Sequence, residues 1–289
     1  MHHAATRRGR PILVALFLAA LTLTGLGSPA WSASGQRPRS AAASCASNEL
    51  PPPLGVVPGP STTGVPPGAL KRRHNGDYTV TRAGAVISGA AVGGVLTVAA
   101  DNVTIKCTHI ASMIEVKGGV TGTRIWLTTI GVAGEDIGGP AGIRNSNFTA
   151  RRVEITGTTD GIRTTGPNVD VRDSWIHGLY DDGPAHNDAA HVSTGSSNVL
   201  FVNNRVDSTA VGPGAGWQTS GMILFNEGAP VTIVRNVFTG KASTHINAVK
   251  AGKATKVAGN VFVQSTRDAA FKGASKVTSA GNKTARAAS

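Results

Sequence analysis

One apolar position that recurs along the chain constrains the fold more than any other feature of the sequence. From about Tyr78 onwards, short segments of alternating apolar residues recur, and each is followed by a Gly or Asn turn. Aligning these segments gives one column of apolar residues: Ile110, Ile130, Ile155, Ile176, Val206, Phe238 and Phe262. Their spacing of 20 to 32 residues predicts a β-solenoid, in which each coil buries its apolar side against the next coil.

The composition favours stacked coils over the other fold classes. Gly accounts for 37 of the 289 residues, and each Gly disfavours a helix by about 1 kcal/mol relative to Ala. Aromatic residues make up only 4% of the chain, which suits a narrow interior of Val, Ile, Leu and Ala. A β-sandwich is the main alternative, but its strands pair through tight hairpins at intervals of about 8–12 residues. Here the segments resemble one another at the longer period.

Small polar residues form another column, two positions before the last apolar members. This column contains Ser174, Asn204, Asn236, Asn260 and, in the last coil, Asn282. Asn and Ser side chains at a turn bond to one another and to exposed backbone groups. We therefore predict a polar ladder along one turn of the solenoid.

The chain begins with a predicted export signal. Arg7, Arg8 and Arg10 precede an apolar run of 16 residues, and small residues follow it. This order is typical of a signal peptide over 1–32, whereas a membrane span needs about 20 residues. An uncleaved membrane anchor is the alternative interpretation. Cleavage predicts a secreted, extracellular protein that no longer contacts a membrane.

The organisation after the signal is predicted from composition and cysteine usage. Residues 33–77 form a Pro-, Ser- and Gly-rich leader, which is either disordered or laid along the surface of the domain over 78–289. Cys45 and Cys107 are the only two cysteines. In an oxidising compartment such a pair predicts a disulfide. That bond joins the leader to an early strand.

Two long segments carry a family resemblance. The segments YTVTRAGAVISGAAVGGVLTVAADNVTIKCTHI and DSWIHGLYDDGPAHNDAAHVSTGSSNVLFVNNRV resemble secreted right-handed parallel β-helix proteins of actinobacteria, within the pectate-lyase-like superfamily. The resemblance covers about 78–263 and implies an all-β, right-handed parallel β-helix, a single-stranded solenoid of about 8–10 coils. That superfamily includes lyases, hydrolases, esterases and non-enzymes, so the resemblance is specific for fold and weak for activity.

The charge of the chain points to an acidic partner. The 28 Lys and Arg residues outnumber the 16 Asp and Glu residues, giving a net charge of +12. In six predicted strands, alternation places Ile143, Ile162, Ala190, Met222, Val249 and Phe271 inward. The residues that follow them then form an outward row: Arg144, Arg163, His191, Ile223, Lys250 and Lys272. With strands about 4.8 Å apart, this row could follow the carboxylates of an acidic polysaccharide, or phosphates, and we predict Arg144, Arg163 and Lys272 as residues that bind the polysaccharide. A solvated face of edge charges is the alternative.

The two longest repeat intervals contain the densest cluster of chemically active side chains. These insertions cover 178–187 and 209–220, and they supply Tyr180, Asp181, Asp182, His186 and Trp217 beside Asp188 and His191. Long loops on a rigid scaffold commonly carry function. Each of these residues alone also has a structural explanation: Asp188 as a turn cap, His186 bonded to a loop carbonyl, and Tyr180 and Trp217 packing the loops.

The cluster predicts cleavage of a uronic-acid glycan by β-elimination. Arg163 or Lys250 would neutralise the substrate carboxylate, His186 or His191 would act as the base, and Tyr180 as the acid. Trp217 would contact substrate, and Asp188 joins the catalytic group. Asp181 and Asp182, with Asp188, could instead hold Ca²⁺, and the sequence points to no other cofactor.

Two alternatives remain from the sequence. One is a glycoside hydrolase of polygalacturonase type that uses Asp181 and Asp182, although the GHG and RIK segments of that family are missing. The other is a non-catalytic glycan-binding or cell-surface solenoid. Few aromatics are present for base stacking, so we expect no nucleic-acid partner, and we expect a monomer.

Overall fold

The fold is described by a computed structural model. It describes residues 45–183, 187–216, 218–263, 266 and 268–286, and the predicted signal peptide lies outside them. Numbered along the chain, the strands of the first half are β1 (Arg72–His74), β2 (Tyr78–Val80), β3 (Val86–Ser88), β4 (Ala90–Val92), β5 (Leu96–Val98), β6 (Thr104–Lys106), β7 (His109–Ile110), β8 (Ile114–Val116), β9 (Thr123–Trp126), β10 (Thr129–Ile130), β11 (Ala141–Asn145), β12 (Phe148–Arg151), β13 (Glu154–Ile155) and β14 (Asp160–Thr164).

Fourteen further strands follow among the described residues. They are β15 (Val169–Arg172), β16 (Trp175–Ile176), β17 (Asp188–Val192), β18 (Val199–Val202), β19 (Arg205–Asp207), β20 (Gln218–Leu224), β21 (Val231–Val234), β22 (Val237–Thr239), β23 (Ala242–Asn247), β24 (Lys256–Ala258), β25 (Val261–Val263), β26 (Phe271–Lys272), β27 (Thr278–Ala280) and β28 (Lys283–Ala285). One short 3-10 helix, Ala274–Lys276, lies between β26 and β27.

Every third strand belongs to the same parallel sheet. Sheet 1 runs from β1 through β4 and β7 to β28, sheet 2 from β2 through β5 to β26, and sheet 3 from β3 through β6 to β27. Three consecutive strands therefore make one coil. The chain is a right-handed parallel β-helix, and the predicted fold class is confirmed.

The apolar column predicted from the sequence is one continuous row in sheet 1. Ile110 pairs with Ile130, Ile130 with Ile155, and Ile155 with Ile176. The row continues through Val206 and Phe238 to Phe262. All its members are buried in the same core. Stacking therefore stabilises the fold by about 25 cal/mol for each Å² of apolar surface that it removes from water.

A sharp turn between sheet 3 and sheet 1 precedes this row. Its corner residue takes a positive φ in successive coils, at Cys107, Leu127, Arg152, Asp173, Asn203, Arg235, Gly259 and Gly281. Asn204, Asn236, Asn260 and Asn282 follow the last four corners and form the predicted ladder. Each Oδ1 accepts from the backbone amide of the preceding ladder residue at 2.8–3.0 Å. Their Nδ2 groups donate to carbonyls of the preceding coil.

The leader from Cys45 onwards lies along this corner rather than apart from the domain. Lys106 donates to the Ser47 carbonyl at 2.7 Å, and Arg151 and Arg152 donate to the Pro51 and Pro52 carbonyls at 2.8 and 2.7 Å. Parallel pairing already begins at β1, whereas the repeats were predicted to begin only at about Tyr78. We call residues 45–70 the strap.

The predicted disulfide between Cys45 and Cys107 is confirmed. Cys107 forms a small second core with buried Trp126 and Leu127, and the strap residues Cys45 and Leu50 pack against it. The bond is compatible with a secreted protein. In the part of the chain that the structure describes, no helix has the length and apolar character needed to cross a membrane.

Candidate functional site

The outer face of sheet 2 carries the predicted basic row over three coils. Arg144 pairs with Arg163, and Arg163 pairs with His191, so these side chains stack on neighbouring strands. The row continues through Ile223 and Asn247 to Lys272. The contiguous basic part is therefore Arg144, Arg163 and His191.

The register predicted for the end of the row was wrong. Ile246, rather than Val249, pairs with Met222 and faces the core, and Asn247 takes the outward position assigned to Lys250. Val249 is 54% exposed. Lys250 follows the end of β23. Lys272 does lie in the row, but its ammonium is bonded to Asp268 at 2.6 Å.

In the middle coils of sheet 2, a bend in the strand places two outward side chains three residues apart, as in β14. A Cβ added to Gly161 would lie 2.6 Å from the core side chain of Ile176, so Gly161 and Ile162 both face inward. Asp160 and Arg163 then share the outer face, with Oδ2 and Nη1 4.0 Å apart. The next coil repeats the arrangement, and Asp188 Oδ2 lies 3.7 Å from His191 Nδ1.

Asp160 and Asp188 form a buried pair of carboxyl groups under this face. Oδ1 of Asp160 accepts from the Asp188 amide at 3.1 Å. Burial, and then the charge of Asp160, raise the pKa of Asp188 to about 8. Ser220 approaches from the next strand, but neither its Oγ nor Asp188 Oδ1 completes a hydrogen bond of normal geometry among the described residues. Burial therefore prevails, and Asp188 keeps its proton at neutral pH.

His191 has the opposite shift. Burial first, and then the neighbouring charge of Arg163, lower the pKa of its imidazole. A lowered pKa keeps the ring neutral at pH 7, as a base requires. His191 and Asp188 therefore approach as two neutral groups. Proton uptake by His191 would favour release of the Asp188 proton, because opposite charges at this distance attract.

Phe225 and Lys250 extend the site beyond His191. The ring centroids of His191 and Phe225 are 5.3 Å apart, and the Lys250 ammonium lies 4.8 Å from the centre of the Phe225 ring. Lys250 thus reaches the neighbourhood of the basic row from a turn rather than from a strand. An aromatic ring beside cations suits stacking of a sugar with an acidic group.

The first insertion lies beside the start of β17. Tyr180 bridges to Val211 of the second insertion, and the Asn187 side chain donates to the Tyr180 carbonyl. Asp181 is buried, and its Oδ1 accepts from the Gly183 amide at 2.8 Å, whereas Asp182 is exposed. His186 and Trp217 lie outside the described residues.

The described residues do not gather a metal site around these aspartates. No group of three or more His, Cys, Asp or Glu side chains in the described ranges is arranged to hold a metal ion. The Asp181 carboxylate is instead engaged by the backbone of its own loop. The suggested Ca²⁺ ligands Asp181 and Asp182 therefore have no third partner in this part of the chain.

Comparisons with protein-family models, curated proteins and solved structures found no match.

Sequence reasoning did not select two residues of the site. Asp160 occupies in DGIRT the position that Asp188 occupies in DAAHV, and this correspondence was the available signal for a carboxyl pair. Phe225 gave no such signal, because its approach to His191 depends on the chain direction after β20. Together the site offers three cations (Arg144, Arg163 and Lys250), a neutral imidazole and a protonated buried acid.

Proposed function

We propose that this chain is a secreted polysaccharide lyase that cleaves an acidic, uronic-acid glycan by β-elimination on the outer face of sheet 2. The observation that carries the proposal is the pairing of His191 with the half-exposed Arg163 on neighbouring strands, where burial lowers the pKa of the imidazole and favours a neutral base. The β-helix is compatible with carbohydrate-active solenoid proteins. The proposed site lies within one chain, so we propose that the monomer suffices.

The proposed reaction begins with the substrate carboxylate. Arg163, with Arg144 beside it, pairs with the carboxylate of one uronate, and this neutralisation acidifies the proton on C5. His191 takes that proton. The electron pair of the C5–H bond becomes the C4=C5 double bond as the C4–O bond breaks, and the leaving oxygen acquires a proton from Tyr180 or water.

Asp188 is proposed as a positioning residue under His191. Its Oδ2 lies on the Nδ1 side of the ring, so a hydrogen bond from Nδ1–H would leave Nε2 free to accept the substrate proton. Phe225 is proposed to stack against a neighbouring sugar, and Lys250 to pair with its carboxylate. The two parts of the site would thus bind consecutive uronates.

The exposure of the charged side chains on this face favours a lyase over a hydrolase. A glycoside hydrolase needs two carboxyl groups that reach opposite sides of the scissile bond. The side chains of Asp160 and Asp188 are only 5% and 3% exposed, whereas the Arg163 side chain is 40% exposed. The accessible groups of this face are thus a cation and a base, which favours β-elimination.

The test is a panel of acidic glycans, including polygalacturonate, alginate and hyaluronan. A lyase produces an unsaturated uronate that absorbs in the near ultraviolet. We expect His191→Ala to lower kcat by about 10²–10⁴-fold without loss of the fold. We expect Lys250→Ala mainly to raise KM, with Lys276→Ala as an exposed control. Release of reducing ends without the new absorbance would indicate a hydrolase, and binding without cleavage would indicate a glycan-binding protein.

A further inference from the structure

The first coil leaves one end of the β-helix uncovered by the described residues. Among the described residues, β1, β2 and β3 are the terminal strands of their sheets, and each pairs with a neighbour on one side only. A cavity of about 430 Å³ lies among them. Its lining combines apolar side chains with arginines: Val80, Ala85, Val86, Ile87, Val92, Arg72, Arg73 and Arg82.

The terminal strands direct backbone groups towards this opening. The Tyr78 amide donates to Val95, and the Val80 carbonyl accepts from Ala99. Because successive residues of a parallel strand bond to opposite sides, the amide and carbonyl of Thr79 face the open end. The same alternation applies to Arg73 in β1, since Arg72 and His74 bond towards β4. In the part of the chain that the structure describes, the opening therefore offers unpaired strand edges to an extended segment.

The charged side chains around the opening indicate which charge a bound segment should carry. Lys71, Arg72, Arg73 and Arg82 are exposed. The nearby acid Asp77 already accepts the Val95 amide at 2.8 Å. An acidic occupant is therefore favoured over a basic one.

Two occupants from the same chain do not match this charge. The last coil of a second copy would present the exposed Lys276 and Lys283, and residues 33–44 contain Arg37 and Arg39 without an acid. We propose that the open end binds an acidic partner segment in extended conformation. The segment adds to the free edge of β2 and sets its carboxylates against Arg73 and Arg82. Strand addition of this kind draws affinity from backbone bonds and specificity from side chains.

The test uses the secreted form of the protein and a fluorescein-labelled peptide of alternating Glu and Val, about six residues long. Fluorescence anisotropy gives its Kd, and the same peptide with Lys in place of Glu is the charge control. We expect the Arg73→Glu/Arg82→Glu variant to weaken binding by about tenfold or more. Thr79→Pro removes the free amide without breaking a bond to β5 and should weaken binding by about fivefold.

Arg124→Glu is the matched control, because Arg124 is exposed on β9 of sheet 3. It should leave the affinity unchanged, and circular dichroism of all variants should match the parent protein. Equal binding of the Glu and Lys peptides, or an unchanged Kd in both the charge-reversed and the proline variants, would overturn the proposal. It would also be overturned by self-association in sedimentation that the variants at the open end alter, because a second copy would then be the occupant.

Discussion

At the scale of single residues, the raised pKa of Asp188 links the proposed site to stability. The folded protein retains this proton up to a pH of about 8, whereas the unfolded chain releases it near the ordinary aspartate pKa of 3.8. The contribution to stability is therefore present below about pH 4 and is lost as the pH rises towards 8. A buried acid that destabilises the fold at neutral pH is typical of functional sites.

We predict that Asp188→Asn stabilises the fold while it impairs the proposed reaction. Asn has no proton to release, so the free energy of unfolding at pH 7 should rise by about 2–4 kcal/mol. In the variant, the free energy of unfolding should also decrease less steeply between pH 4 and pH 8. Urea unfolding at several pH values measures both effects, with exposed Asp182→Asn as the control. A variant that is less stable at pH 7 and retains the parent's pH dependence would contradict this account of Asp188.

The burial of His245 leads us to predict that the protein loses stability in acid. His245 is fully buried, its ring lies 6.0 Å from that of Phe262, and burial lowers its pKa below the ordinary histidine value of 6.5. Below pH 6.5 the unfolded chain binds a proton that the folded protein excludes. Stability should therefore fall with pH by up to about 1.4 kcal/mol per unit. His245→Phe should reduce this slope in urea titrations between pH 7 and 5. If the slope is unchanged, the acid sensitivity originates elsewhere.

At the scale of strands and turns, the features that keep the same position in every coil were the ones that the sequence could predict. The sheet 1 row and the Asn ladder were predictable because the sharp corner gives both a fixed position in every coil. Sheet 2 was harder, because its strands bend and place two consecutive residues inward. In β23 the second inward residue is the polar His245, which breaks the alternation that placed Val249 and Lys250 in the strand. The approach of Phe225 to His191 depends on that same geometry.

The ladder predicts a difference between its middle and its end. Asn236 is 1% exposed and bonds to ladder residues on both sides. Asn236→Ala leaves buried backbone groups without partners and should cost about 2–4 kcal/mol of unfolding free energy. Asn282 is half-buried and bonds to a ladder residue on one side, so Asn282→Ala should cost about 1 kcal/mol. Equal losses of unfolding free energy in the two variants would show that bonding within the ladder does not set the contribution of each Asn side chain to stability.

At the scale of the whole molecule, the strap joins coils that are distant in sequence. Its carbonyls accept from Lys106, Arg151, Arg152 and Asn203, which lie at the corners of three different coils. The disulfide fixes the start of this strap with a sequence separation of 62. The strap therefore covers basic side chains that would otherwise stand at the corner, and it adds a second small core outside the solenoid.

We predict that the Cys45→Ser/Cys107→Ser variant loosens the strap before it disturbs the coils. The chain-entropy model assigns a closed loop of this length about 4 kcal/mol, so denaturant unfolding should shift to lower concentration. Hydrogen exchange should quicken at the strap and at Trp126 beneath it, while the amides of the Asn ladder stay protected. The double alanine variant of Arg151 and Arg152, which retains the disulfide, should loosen only the strap next to Pro51 and Pro52. Uniform loss of protection along every coil would mean that the disulfide stabilises the solenoid itself.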